Sequence, residues 1–180
     1  MSRAFVKEDA NQNAKRVLPD KPLSPHPNYV TPRGLRLLRD AHAEQTRALE
    51  ALRGQTGDAV EHQRAQIERE LRYLQARLKS AILVAPNADG AAPQSEQDTT
   101  AVRFGARVAT VDENGQERVF RIVGEDEADV TQGYVAWVSP LARALTGQAP
   151  GDMVVWKRPA GDMELEIVSV DYPFADATST

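Results

Sequence analysis

From Thr31 to Val84 the apolar residues recur at helical spacing. Val60, Ile67, Leu71, Leu74, Leu78 and Ala81 follow alternating steps of four and three, with Arg64 in the one polar slot, which is the a/d seam of a coiled coil. An earlier stretch answers in the same register through Leu35, Leu38, Leu49 and Leu52. His42 and Gln45 occupy its middle layer, where polar side chains weaken packing but fix register. Gly54 and Gly57 interrupt the pattern, so the chain must reverse there. The prediction is two antiparallel helices. Thr31 caps the first, Pro32 takes its first position, and Gly54 ends it after Arg53. The second begins after Asp58, where Asp58-Ala59-Val60-Glu61 has the form of a capping box, and frays by Leu83 because Pro86 follows. At about 1.5 Å per residue such a rod is roughly 30 Å long. It is too thin to enclose an active site, so any chemistry it has is what it presents at its tip.

After this rod the period changes. Ala106 to Val111 and Glu117 to Val123 are β-like runs flanking the turn pair Asn114-Gly115, which tolerates the positive φ of a type I′ hairpin. Gly133 to Val138 is a third run. Ser139-Pro140-Leu141-Ala142-Arg143-Ala144-Leu145 reads as a short helix capped by Ser139, and Met153 to Lys157 with Met163 to Tyr172 forms a last hairpin. Five strands and one helix make an α+β domain. Phe120, Ile122, Trp137, Leu145, Val155, Trp156, Leu165 and Ile167 are its expected core. The chain thus divides into a disordered tail (1–29), a finger (30–84), a small polar linker (85–101), the α+β domain (102–173) and a short tail (174–180). Neither the first tail nor the linker carries enough apolar residues to offset the entropy of ordering. Deleting residues 1–28 is therefore expected to leave the thermal midpoint nearly unchanged.

Composition narrows the function. The 180 residues carry a formal net charge of −4, which gives no general attraction to duplex DNA or an anionic membrane. There is no cysteine, which excludes disulfides and Cys-based metal sites and suits a reducing cytoplasm. The three histidines, His26, His42 and His62, have no ligand spacing. No signal peptide or membrane span is read, so a cytoplasmic protein without membrane contact is expected. Arg36, Arg39, Arg47, Arg53, Arg64, Arg69, Arg72, Arg77 and Lys79 stud the rod among Glu44, Glu50, Glu68 and Glu70. They read either as a solvated surface with local ion pairs or as a basic side that follows a nucleic-acid strand. No nucleophile–base set, phosphate-binding glycine loop or metal cluster is found in the α+β domain.

Specific stretches carry a resemblance. Tyr29-Val30-Thr31-Pro32-Arg33-Gly34-Leu35 opens the rod. Glu117 to Gly124 is followed by acidic residues, then by Ser139 to Leu145, Pro150-Gly151-Asp152, Pro159-Ala160-Gly161-Asp162 and Ile167 to Tyr172. In order and spacing these resemble the GreA/GreB transcript-cleavage factors of bacterial RNA polymerase, with the carboxy-terminal part most similar to GreB. The resemblance covers roughly residues 29 to 84 and 102 to 172.

The resemblance implies an FKBP-like fold for the five-stranded domain and a monomeric accessory factor, not a free-standing enzyme. By this resemblance the domain is expected to grip the rim of the polymerase secondary channel, with Ser139, Pro140 and Arg143 as the binding residues. The finger is likewise expected to enter the channel, where Asp58 and Glu61 would help hold a Mg2+ ion shared with the polymerase active centre, so that a backtracked transcript is cut. The resemblance also implies nascent RNA as a candidate contact, with DNA met only through the transcription complex. Three positions depart from the family pattern. His62-Gln63 follows the acidic pair where the family has Asn-Ala, and Val138 stands where an acidic residue is expected. Each arm is also shorter by about one heptad, ~10 Å of reach. The alternative function is a non-cleaving regulator that occupies the same channel. An isomerase reading rests on fold analogy alone.

Overall fold

The computed structural model describes residues 17–84 and 101–172. Helix α1 spans Pro32–Ala51 and helix α2 spans Asp58–Ser80. Thr31 caps α1 as its sequence predicts: its hydroxyl accepts from the Gly34 N–H at 2.9 Å, and Pro32 follows in the first turn. The seam also forms. Leu38 and Leu74 are buried at the base with Leu35, Ala41, Tyr73 and Leu78 around them, and Leu52, Ala65 and Ile67 are buried further out.

The two ends of the hairpin are tied by a feature that periodicity does not announce. Strand β1 (Tyr29–Val30) pairs in parallel with β2 (Ile82–Leu83), so the entry to α1 and the exit from α2 are hydrogen-bonded together. Two-residue strands are too short to show alternation. Residues 17–28, expected to belong to a disordered tail, also differ from that expectation. With it falls the expectation that deleting residues 1–28 leaves the thermal midpoint nearly unchanged: a drop is expected instead. Residues 17–28 lie against α2, with the Asn28 side chain buried and donating to the Arg77 carbonyl at 2.7 Å. Their prolines erase any periodic signal, but a segment whose φ angles are already restricted loses less entropy when a neighbouring helix offers it partners. Residues 1–16, most of the expected linker (85–100) and the terminal residues 173–180 lie outside the described residues.

The second part is α+β. Strands β3 (Arg107–Asp112), β4 (Glu117–Val123), β5 (Tyr134–Ala136), β6 (Met153–Trp156) and β7 (Met163–Asp171) form one sheet in the order β5-β4-β3-β7-β6. All neighbours are antiparallel except β4 and β5. The short helix α3 (Pro140–Leu145) packs its buried Leu141, Ala142 and Leu145 into the same core as Val108, Phe120, Ile122, Leu165 and Ile167.

Two details correct the sequence reading. The β3–β4 connection is not a two-residue type I′ turn: it spans the four residues 113–116 and is closed by the Asp112 N–H donating to the Gln116 carbonyl at 3.1 Å. The Asp112 carboxylate accepts from the Asn114 and Gln116 N–H groups, and Gly115 takes the positive φ of 75°. Val155 faces solvent, because the β6 alternation turns Val154 inward.

Where the two parts meet, backbone approaches backbone. A Cβ built on Gly124 would stand 2.5 Å from the carbonyl oxygen of Tyr29, the first residue of β1. Gly124→Ala is therefore expected to destabilise the protein by about 1–3 kcal/mol, the usual cost of overpacking, as read from urea unfolding midpoints.

Candidate functional site

The tip of the hairpin is built by Arg64, the polar residue in the seam. Its guanidinium donates to the Leu52 carbonyl at 3.1 Å and reaches the Gln55 carbonyl at 3.5 Å, closing the loop between the helices, and it pairs with the Glu61 carboxylate at 3.0 Å. The capping box expected over Asp58 to Glu61 does not form. Gly57 is the N-cap, with a φ of 122° that suits glycine, and no side chain accepts from the first turn. The reversal places Asp58 one position too late to cap. Asp58 is left exposed, with no hydrogen bond or ion pair among the described residues, while Glu61 is exposed but engaged by Arg64. Both carboxylates lie in the first turn of α2, where they also favour the helix dipole.

Two carboxylates three residues apart offer oxygen donors to a hard divalent cation but do not make a coordination shell. Among the described residues no group of three or more histidine, cysteine, aspartate or glutamate side chains could hold a metal ion. The tip thus presents two exposed carboxylates without a complete coordination shell among the described residues.

At the other end, α3 presents the expected binding residues on the surface of the α+β domain. Ser139 has its hydroxyl committed to the helix, accepting from the Ala142 N–H at 3.2 Å, so its role here is to cap. Pro140 and Arg143 are exposed, and Arg143 makes no side-chain hydrogen bond or ion pair among the described residues. Trp137, two residues before Ser139, packs against the core and meets Tyr29 at a ring-centroid distance of 5.1 Å.

Between tip and domain lies a junction that sequence reasoning missed. The acidic run Glu125-Asp126-Glu127, a 3-10 turn after β4, reaches the base of the finger with all three side chains. Glu127 is buried; one oxygen accepts from the Thr31 hydroxyl at 2.5 Å and the other from Arg33 at 3.0 Å. Arg33 also lies over the Tyr134 ring, 4.3 Å from its centroid. Arg77 is buried with its Nε 2.5 Å from Asp126 and its Nη2 3.7 Å from Glu125. The only sequence signal for this junction was the acidic run itself, which by composition reads as a solvated loop.

Tyr73 completes the junction by donating to Asp126 at 2.6 Å. Burial, and then this hydrogen bond, push its phenol from 10.0 up to about 12. The folded state therefore holds the phenolic proton more tightly than the unfolded chain, and the resulting stabilisation is full below pH 10 and lost as pH rises towards about 12. The stability difference between the unsubstituted protein and Tyr73→Phe is expected to shrink across that window, as measured by urea midpoints at successive pH values.

Comparison with known proteins places this architecture. Residues 97–172 match the model of the family described as "Transcription elongation factor, GreA/GreB, C-term". The GreB transcription elongation factor of Neisseria meningitidis serogroup B is 35% identical over 160 residues, covering 81% of this chain and 94% of that protein. The GreA of Alkalilimnicola ehrlichii is 41% identical over 115 residues, covering 63% of this chain and 68% of its own length. Among solved structures, GreA factor homolog 1 of Thermus thermophilus is 22% identical, with a TM-score of 0.38 over 81% of this chain and 99% of that one.

Proposed function

The chain belongs to the GreA/GreB family of transcription elongation factors, and from that premise we propose that it binds the secondary channel of RNA polymerase and promotes transcript cleavage in backtracked complexes. The observation that carries this reading is the pair of exposed carboxylates at the end of a stiff hairpin whose other end is fastened to a separate binding domain. In this reading α3 meets the channel rim through Pro140 and Arg143, and the hairpin directs Asp58 and Glu61 into the channel. When a magnesium ion is bound there, it supplies Lewis-acid stabilisation of the phosphodiester and activation of a water. The part of this chain is to bring negative charge and oxygen donors to that place and to hold them there. The first turn of α2 sets their spacing, and Arg64 closes the loop from which α2 starts while pairing with Glu61.

One observation favours the second reading, a regulator that occupies the channel without cleavage. Glu61 already has a cationic partner in Arg64, so that of the pair Asp58 and Glu61 only Asp58 has no ion pair among the described residues. The two readings separate on a stalled, backtracked complex with the protein at saturation. Cleavage supports the first and binding without cleavage the second, while failure to bind core polymerase removes both.

Binding itself is expected to depend on Arg143. Its exposure makes Arg143→Ala neutral for the fold, whereas affinity for core polymerase should fall about tenfold, the ~1–2 kcal/mol of an interfacial arginine. An unchanged dissociation constant would move the docking surface away from α3.

A further inference from the structure

The proposed function leaves residues 18–28 without a task, yet this segment touches both parts of the molecule. Near its start, Arg72 of α2 donates through Nε to the Asp20 carboxylate at 2.6 Å and through Nη2 to the Leu18 carbonyl at 2.8 Å. Lys21 pairs with Glu70 and lies 5.1 Å over the Tyr73 ring. At its end, buried Asn28 donates to the Arg77 carbonyl at 2.7 Å and to the Ser80 hydroxyl at 3.2 Å, which occupies acceptors at the last turn of α2. Between these anchors on the finger, His26 sets its ring edge-on to Trp137 of the α+β domain, 5.9 Å between centroids, and Tyr29 follows onto Trp137 and Phe104.

We propose that residues 18–28 are a strap that makes the finger and the α+β domain one body and so fixes where the tip stands relative to α3. The reason is leverage. The Arg77–Asp126 and Glu127 contacts hold the base of the hairpin, and contacts gathered at one end of a rod resist swivelling poorly. The Arg72 anchors lie five residues further out along α2, about 8 Å at 1.5 Å per residue. A second attachment at that distance, tied back to Trp137, opposes rotation of the rod about its base. Pro19, Pro22, Pro25 and Pro27 suit the segment to this use, because a chain with fixed φ angles is stiff and loses little entropy on being laid down. The strap residues are positioning residues: they touch neither the tip carboxylates nor the exposed face of α3. This inference concerns the free protein, so it stands or falls separately from polymerase binding.

The absence of cysteine allows a direct test. Spin labels at Gln63→Cys near the tip and Glu164→Cys on β7, both exposed, report the tip-to-domain distance distribution. The release variant is His26→Ala with Arg72→Ala, which leaves the Arg77 and Glu127 contacts in place. Hydrogen exchange of the peptide covering residues 17–28 reports whether the strap has come off. Exchange is expected to rise about tenfold or more on release, with the distance distribution broadening, and Arg72→Lys, which keeps the charge but on a single donor nitrogen, should fall between. A released strap with an unchanged distribution would show that the junction alone places the tip, and would overturn the proposal. So would a strap peptide that exchanges equally fast with and without the two substitutions.

Discussion

Replacing Arg77 with alanine is expected to cost about 3 kcal/mol of stability, among the largest losses available to a single change outside the apolar cores. Breaking a buried ion pair by removing one partner typically costs 3–5 kcal/mol, because the remaining charge stays buried without compensation. Arg77 has 4% of its side chain exposed, but Asp126 and Glu125 keep 19% and 24%, so water can reach the stranded carboxylates and the loss lies at the lower edge of that range. The effect is an interaction and not merely lost packing, which a double-mutant cycle can separate. Arg77→Met keeps most of the stem, and Asp126→Asn keeps an acceptor for Tyr73 while removing the charge. The double variant should therefore be more stable than the sum of the single losses predicts, by about 1 kcal/mol or more. Strict additivity in urea midpoints would mean that Arg77 contributes by filling space, and the junction would not be electrostatic.

How much of this was legible beforehand depends on the length scale of each signal. The helices of the finger announced themselves because seven seam positions repeat over several turns, and Thr31-Pro32 and Ser139-Pro140 marked helix starts through local chemistry that tertiary structure had no reason to override. The strands of the α+β domain were legible for the same reason, except at β6, where a four-residue run with Val at both Val154 and Val155 gives no hint of which one faces inward. The junction was not legible. Glu127 is buried because Thr31 and Arg33, more than ninety residues earlier, supply its donors, and no local pattern encodes a pairing at that separation. The strap was misjudged for a related reason. Its partners are Arg72 and Arg77, which on their own helix look like solvated residues of a charged face.

At the tip, the sequence identified the two carboxylates but misread the cap. Asp58-x-x-Glu61 matches a capping box in spacing, yet whether it caps depends on the φ of the residue before it, and Gly57 took the capping position with a conformation no sequence rule demanded. An aspartate consumed by a cap could not serve as a donor, and Asp58 is not consumed.

Cleavage in a backtracked complex is expected to fall on the order of 10²-fold or more in Asp58→Asn with Glu61→Gln, the scale of losing a well-placed electrostatic contact at a reaction centre. Binding to core polymerase should remain, because neither residue lies on the α+β domain. Stability should drop by no more than about 1–2 kcal/mol: both charges favour the N-terminus of α2, each by ~0.3–1 kcal/mol, and no side-chain cap is removed. The single variants then divide the two roles. Asp58 has no partner among the described residues, whereas Glu61 is held at 3.0 Å by Arg64. Asp58→Asn alone is therefore expected to remove most of the cleavage. Glu61→Gln should remove less, since an amide oxygen still accepts from Arg64 and keeps the loop closed. Equal losses in the two single variants would mean that Glu61 leaves Arg64 on entering the channel. Full cleavage in the double variant, with binding intact, would end the donor role of the tip.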